Sequence, residues 1–483
     1  MIFSLATPEF RIIACSRYYA LGMEASEVRP DGQTKSAGVT ADTATMPPRS
    51  CDVQACDVLV IGGGPAGSTA ATLLARDGWQ VVMLEKEAHP RFHIGESLLP
   101  QNMPILERLG VHDAVRDCST LKLGADFPND NGSYEVFDFS KSFRPQSGYA
   151  FQVKRADFDK ILWDNARAAG VDARDHNKVD RVDFADDGAI TVHARGQQFR
   201  PRYLLDASGR DTVLGGKLAL KRKNARHASA AIFSHYRGVQ RREGRDAGNV
   251  SIYRHAHGWI WVIPLSDGVT SVGAVCFPDY LKQRRGDQEA FLMQTLMAVP
   301  ELDARMRDAE RIAPVHVTGN YAYECTRMHG RHWSLLGDAY AFVDPMFSSG
   351  VFLAMKSAEG CARMVDGILR TPAREASLQR KFQHQFDRGL DEFKWFIYRF
   401  TSPTMKHLFA NRRDLFGVER AIVSMLSGDV FDAKPILRRL RIFRVIYALT
   451  TLGMSGRAFA AWRNRRRQLD VEVREETLQG DAP

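Results

Sequence analysis

The segment Cys56–Gly67, CDVLVIGGGPAG, constrains this chain more than any other. Its apolar start reads as a buried strand, PAGSTAATLLARDG after it as a helix, and QVVMLEK as a second strand. Between the first strand and the helix, Gly62, Gly64 and Gly67 fall in a GxGxxG pattern. Gly62 permits the tight turn, Gly64 lets the backbone approach a pyrophosphate, and Gly67 lets helix and strand pack closely. Pro65 and Ala66 open the helix, whose N-terminus favours a phosphate's negative charge. Glu85 closes the second strand 18 residues after Gly67. There a carboxylate can accept hydrogen bonds from ribose hydroxyls, with Lys86 beside it. A bare GxGxxG would be only a glycine-rich turn; with this strand, helix and acid it predicts a Rossmann-type dinucleotide-binding unit.

The chain has 483 residues, 44% hydrophobic and 25% charged, with 66 Lys plus Arg against 57 Asp plus Glu. That excludes a disordered chain, a collagen-like fibre and a small disulfide scaffold. Seven scattered cysteines cannot all pair, and neither CxxC nor a Cys/His cluster has metal-site spacing, so no metal is expected. The cysteine pattern fits a reducing compartment. There is no clean signal peptide and no apolar run of the roughly 18 residues a membrane span needs, so a cytoplasmic location is expected. Residues 1–50 have little hydrophobic periodicity and read as a disordered leader, or as a start placed before a true one at Met46. From about 130 to 335, short alternating strands such as SAAIFSHY, WIWVIPL and VTSVGAVCF dominate, interrupted by helices near 156–169 and 286–298. Beyond about 372 the pattern is helical. The expected fold is α/β: a dinucleotide-binding domain interleaved with a β-rich substrate domain over 51–371, then a helical region with a basic tail over 372–483.

Leu335-Leu336-Gly337-Asp338-Ala339 lies after a strand and before a helix, and resembles the Gly-Asp motif of FAD-dependent monooxygenases. Gly95-Glu96-Ser97, Arg155 and Asp206-Ala207-Ser208-Gly209-Arg210 resemble other parts of that superfamily's flavin surroundings. Two further motifs narrow the resemblance. His257–Pro264 contains WxWxIP, with Trp259 and Trp261, and Phe342–Gly350 contains FxxPxxSxG. Both are similar to signatures of the flavin-dependent halogenases, and the resemblance runs from about 56 to 400. Alone, the tryptophans would be core residues of a strand. Alone, Ser348-Ser349-Gly350 would be a helix N-terminus with capping hydroxyls, although such a terminus is also an anion site. Lys122, in TLKLGADF, matches the lysine of the phenol and pyrrole class of these halogenases. Without the other motifs it would be a solvated surface residue.

The resemblance implies FAD held by Gly62, Gly64, Pro65, Ala66, Gly67, Glu85, Lys86, Glu96, Ser97, Arg155, Asp338, Gly350 and Val351. It implies a halide held near Ser348, Ser349 and Gly350, and Lys122 as the catalytic residue. Reduced FAD, delivered by a separate flavin reductase, would activate O2 and oxidise chloride or bromide to hypohalous acid. That acid would pass through a tunnel to Lys122, which would hold it by a hydrogen bond or form a haloamine. Partial burial would lower the lysine's pKa and make the haloamine more accessible. An electron-rich aromatic would then be halogenated, in secondary-metabolite or pigment biosynthesis. Trp259 and Trp261 would fill the space where a hydroxylase brings its substrate to the flavin. Tryptophan halogenases carry a glutamate where this chain has Phe347, so phenols or pyrroles are expected rather than free tryptophan. The alternatives are an FAD-dependent aromatic hydroxylase or reductase of the same fold, and a non-catalytic flavin-binding scaffold.

Phe393, Trp395, Phe396, Tyr398 and Phe400 read as core packing, with an aromatic substrate cavity as the second choice. Arg438, Arg439, Arg441, Arg444, Arg457, Arg463, Arg465, Arg466 and Arg467 alternate with apolar residues. Such a surface is a solvated helix face, a peripheral contact with anionic membrane, or a dock for an acidic partner such as an acyl carrier protein. No nucleic-acid module accompanies the charge.

Overall fold

An apolar run such as Val58–Ile61 is stable where both faces of a parallel sheet are covered, and all four residues are buried between two parallel neighbours. The structure is a computed structural model that describes residues 53–463, apart from 130–131, 145–147, 225–228, 285, 320–321, 412–413, 432 and 457–459. The leader expected over residues 1–50 and the arginines at 457 and 465–467 fall outside the described residues. Strand β1 (Val53–Ile61) turns into α1 (Pro65–Arg76) and returns as β2 (Val81–Leu84). Short strands β3 (Thr120–Lys122), β4 (Gly124–Pro128), β5 (Tyr134–Asp138) and β6 (Ala150–Gln152) follow. Next come α2 (Arg155–Ala168), β7 (Asp172–Arg174) and β8 (Gln197–Asp206). The β-rich layer is built from β9 (Ala230–Arg237), β10 (Val250–His255), β11 (Gly258–Pro264) and β12 (Thr270–Cys276), backed by α3 (Gln288–Met297). The chain re-enters the first sheet at β13 (Trp333–Leu335) and continues through α4 (Ser349–Arg370). Helices α5 (Glu375–Ile397), α6 (Pro403–Ala410), α7 (Val418–Leu426) and α8 (Lys434–Gly453) complete it.

Five strands of the dinucleotide-type sheet, β13-β8-β1-β2-β7, run parallel, and three short strands join it antiparallel. The second sheet runs β9-β12-β11-β10-β4-β5, so strands from before and after β8 share it. That is the expected α/β interleaving. Strand β11 is buried on both faces, and its alternation serves two cores. Trp259, Trp261 and Ile263 belong to the core shared with the dinucleotide-type sheet. Ile260 and Val262 pack with Phe291, Leu292 and Leu296 of α3. Two short helices, Pro278–Leu281 and Pro300–Arg305, were not expected; a proline at the first turn starts each.

The helical C-terminal region packs on this body through its aromatic segment. Phe393, Phe396 and Phe400 are fully buried. Phe396 stacks on Phe443 of α8, and Phe400 meets Phe127 of β4 and Phe347. Core packing is therefore what this segment does. The arginines of α8 divide. Arg439 bonds the Phe416 carbonyl and Arg444 bonds Glu392, while Arg438 and Arg441 are exposed. No helix among the described residues is long and apolar enough to cross a membrane.

Candidate active site

The glycine turn opens one wall of a cleft of about 840 Å³, within the roughly 300–1,000 Å³ range of ligand sites. Gly62 has φ +100°, and a Cβ there would lie 2.5 Å from the Ala207 carbonyl oxygen. Gly67 does not line the cleft; a Cβ on it would lie 1.9 Å from the Gly62 carbonyl oxygen, so its role is close packing alone. Gly64 and Gly350 are different. Both line the cleft, and a Cβ at either would project into open space, meeting at most Arg91 Nη2 at 3.7 Å. These are cradle positions for a ligand's backbone-hugging phosphates.

The charged wall is set by backbone contacts. Glu85 Oε2 accepts from Gly63 N at 2.7 Å and Oε1 from Glu87 N at 3.1 Å, which holds the carboxylate at the cleft's edge. Lys86 lines the cleft and pairs with Asp211 at 2.7 Å. Arg155 is clamped by Asp159, at 2.8 and 2.9 Å, and donates to the Ile94 carbonyl. Burial pushes the Asp338 carboxyl up to about 6, against the lowering pull of Arg210 and Arg155. Asp338 is thus a half-buried carboxyl facing both cavities, suited to hydrogen-bonding a ligand hydroxyl.

A smaller cavity of about 110 Å³ shares Arg155, Arg210, Asp338, Gly350 and Val351 with the cleft. Trp259, Trp261 and Ile263 form one of its sides, and Pro345, Met346 and Ser348 another. The Trp261 indole N–H donates to Ser271 Oγ at 3.1 Å. Its ring lies over Gly273 of β12, where a Cβ would come within 2.4 Å of it. Trp259 is 5.8 Å from Trp261, centroid to centroid. The two indoles form a continuous aromatic wall beside the cleft.

At the turn before α4 the capping alternative does not hold for Ser348. Ser348 precedes the helix with φ +57°, a left-handed conformation, and its hydroxyl makes no cap bond. A side-chain cap needs extended backbone at that position. Asp344 instead accepts from Met346 N at 3.2 Å. Ser348, Gly350 and Val351 line the cavity, whereas Ser349 is buried at 1% exposure and does not. Phe347 is buried edge-on against Phe400 at 5.3 Å.

Lys122 is not half-buried, as expected, but wholly enclosed at 1% exposure. Its Nζ donates to Ser97 Oγ at 2.9 Å and to the Leu98 carbonyl at 3.0 Å, and lies 5.4 Å from the Phe139 ring centre. No carboxylate pairs with it in the described structure, and burial pulls its pKa down to about 7. Ser97 lines the small cavity, so the amine stands one hydroxyl behind the wall. Glu96 and Ser97, also expected around the cofactor, line the small cavity that adjoins the cleft. Glu96 Oε1 accepts from His235 Nε2 at 2.7 Å, and its other oxygen is buried without a partner.

A family model described as an FAD binding domain matches residues 55–381. The chain is 35% identical to a tryptophan 2-halogenase of Chondromyces crocatus, over 78% of this chain and 74% of that one. It is 31% identical to a 1H-pyrrole-2-carbonyl-peptidyl-carrier-protein chlorinase of Pseudomonas fluorescens, over 79% and 90%. Among solved structures, a flavoprotein/dehydrogenase from Cytophaga hutchinsonii superposes with a TM-score of 0.76 at 30% identity, covering 83% of this chain and all of that one. The myxobacterial chondrochloren halogenase CndH gives 0.68 at 28%, covering 83% and 97%. The chain belongs to the flavin-dependent halogenases.

FAD is this halogenase's cofactor, and the open space at Gly64 and Gly350 fits it. Gly62, Gly64, Pro65, Ala66, Glu85, Lys86, Arg155, Asp338, Gly350 and Val351 are brought together around the cleft. The sequence missed Arg91 and His93, which also line it, and His235. His235 is 139 residues from Glu96 on an ordinary alternating strand, so no local signal pointed to it. Arg210 was visible only as part of a fingerprint and lines both cavities.

Proposed function

We propose that this halogenase chlorinates or brominates an electron-rich phenol or pyrrole, using hypohalous acid relayed to Lys122. FAD, when bound and reduced by a separate flavin reductase, supplies the O2 activation. The protein's part is containment and delivery. Trp259 and Trp261 keep the organic substrate off the cleft. Backbone N–H groups at the start of α4, near Ser348 and Gly350, hold the halide. Lys122 receives the oxidant and presents the halogen to the ring. The observation that carries this reading is a carboxylate-free buried amine standing one hydroxyl behind the tryptophan-walled cavity.

Phe347 at the position of the tryptophan halogenases' glutamate supports a ring activated enough to need no second polarising group. The carrier-protein chlorinase relative and the exposed Arg438 and Arg441 support a substrate tethered to an acidic carrier. One observation favours a second reading, a dehydrogenase or reductase: the solved flavoprotein/dehydrogenase of the same fold. Mass spectrometry of products decides. The enzyme, a flavin reductase, chloride or bromide, and a panel of phenols, pyrroles, their carrier-bound forms and tryptophan are combined. Halogen isotope patterns on a phenol or pyrrole, lost in Lys122→Ala, are expected. Halogenation of tryptophan alone, or Lys122→Ala at wild-type yield, overturns the proposal. Reduction or hydroxylation without halogen supports the second reading.

A further inference from the structure

One strand holds both the lysine and the hydroxyl that shields it. Lys122 of β3 pairs with Ala150 of β6, and on the other edge of β6 Ser97 bridges Gln152. Val153 N donates to the Glu96 carbonyl at 2.8 Å and Leu98 N to the Phe151 carbonyl at 3.0 Å. The Gly95-Glu96-Ser97 segment is therefore fixed by backbone bonds to the strand that also fixes Lys122. Two Nζ protons go to Ser97 Oγ and the Leu98 carbonyl. Ser97 Oγ accepts from Lys122 and, among the described residues, donates to no protein group, so its own proton is available to the cavity it lines.

We infer that Ser97 is the proton relay of Lys122, exchanging a proton between the amine and the hypohalous acid that enters the small cavity. This rests on the reading of Lys122 as the halogen acceptor and deepens it. The nitrogen lone pair takes the halogen, so an N–X bond forms as the HO–X bond breaks with its electron pair left on oxygen. Ser97 Oγ takes the N–H proton while its own O–H proton passes to the departing hydroxide. Lysine amine and hypohalous acid become haloamine and water, and no other oxidant or reductant is needed. Without the relay, the departing hydroxide would need another proton source in the cavity wall.

The test compares Ser97→Ala, Ser97→Thr and Lys122→Ala in the FAD-loaded enzyme, as halogenated product per reduced flavin consumed. Free hypohalous acid is trapped by an added scavenger, and each rate is repeated in D2O. Ser97→Ala should lose about a hundredfold in product and release the missing oxidant to the scavenger. Ser97→Thr, which restores a hydroxyl, should recover most of the product and the solvent isotope effect. Wild-type yield from Ser97→Ala overturns the relay, and so does Ser97→Thr as inactive as Ser97→Ala. Halogenation retained by Lys122→Ala instead brings down the underlying reading of the lysine.

Discussion

Replacing Lys122 by methionine should stabilise the flavin-free fold at neutral pH, by an amount that shrinks as pH rises. The ordinary lysine value is 10.5 and enclosure lowers it to about 7. Between those values the unfolded chain holds the proton and the folded chain releases it, so raising the pH through this window favours folding. Charge burial then costs the fold about 4 kcal/mol at pH 7 and about 2 kcal/mol at pH 9, since one pKa unit is about 1.4 kcal/mol. Methionine is of similar volume and carries no charge. Its substitution leaves the Leu98 carbonyl without a donor, a cost of about 1–3 kcal/mol that is the same at every pH. Urea unfolding of both proteins at pH 7, 8 and 9 isolates the difference, because every other titrating group cancels. The gap in stability should change by about 2 kcal/mol across that range, with wild type gaining. A gap flat from pH 7 to 9 would refute the idea that half the molecules carry a neutral, nucleophilic amine near neutrality.

Gly350→Ala should fold as well as wild type, because its Cβ meets nothing within 4 Å, yet bind FAD at least about tenfold more weakly (roughly 1.4 kcal/mol); fluorescence titration checks it. Gly67→Ala is the contrast: a Cβ 1.9 Å from the Gly62 carbonyl oxygen should lower the melting temperature of the flavin-free protein itself. Trp261→Ala should cost about 3–5 kcal/mol of stability and, by opening the cavity wall, lower halogenated product per flavin consumed; unchanged coupling would remove the indole from its shielding role.

How much of this was legible depended on how far apart the partners are in sequence. The β1–α1–β2 unit is local: three glycines, an apolar run and one acid specify it, and the cleft assembled around them as expected. The halogenase motifs located Lys122 and the tryptophans, but not their surroundings. That Lys122 is enclosed follows from β6 pairing with residues on both of its edges, a contact that spans 25 residues between Ser97 and Lys122. That Ser348 would not cap α4 could not be read, because residue type was legible and backbone conformation was not. The Glu96–His235 pair needs the interleaved sheet to exist before its members meet.

The dual attachment of β6 bears on how this chemistry could be moved between proteins. A lysine grafted into another flavin enzyme would need the same strand beside it to be held as this one is. The transferable part is a cassette of two strands and a bridged segment, Thr120–Lys122, Ala150–Gln152 and Glu96–Leu98, whose hydrogen-bonded frame holds the Lys122 nitrogen in place.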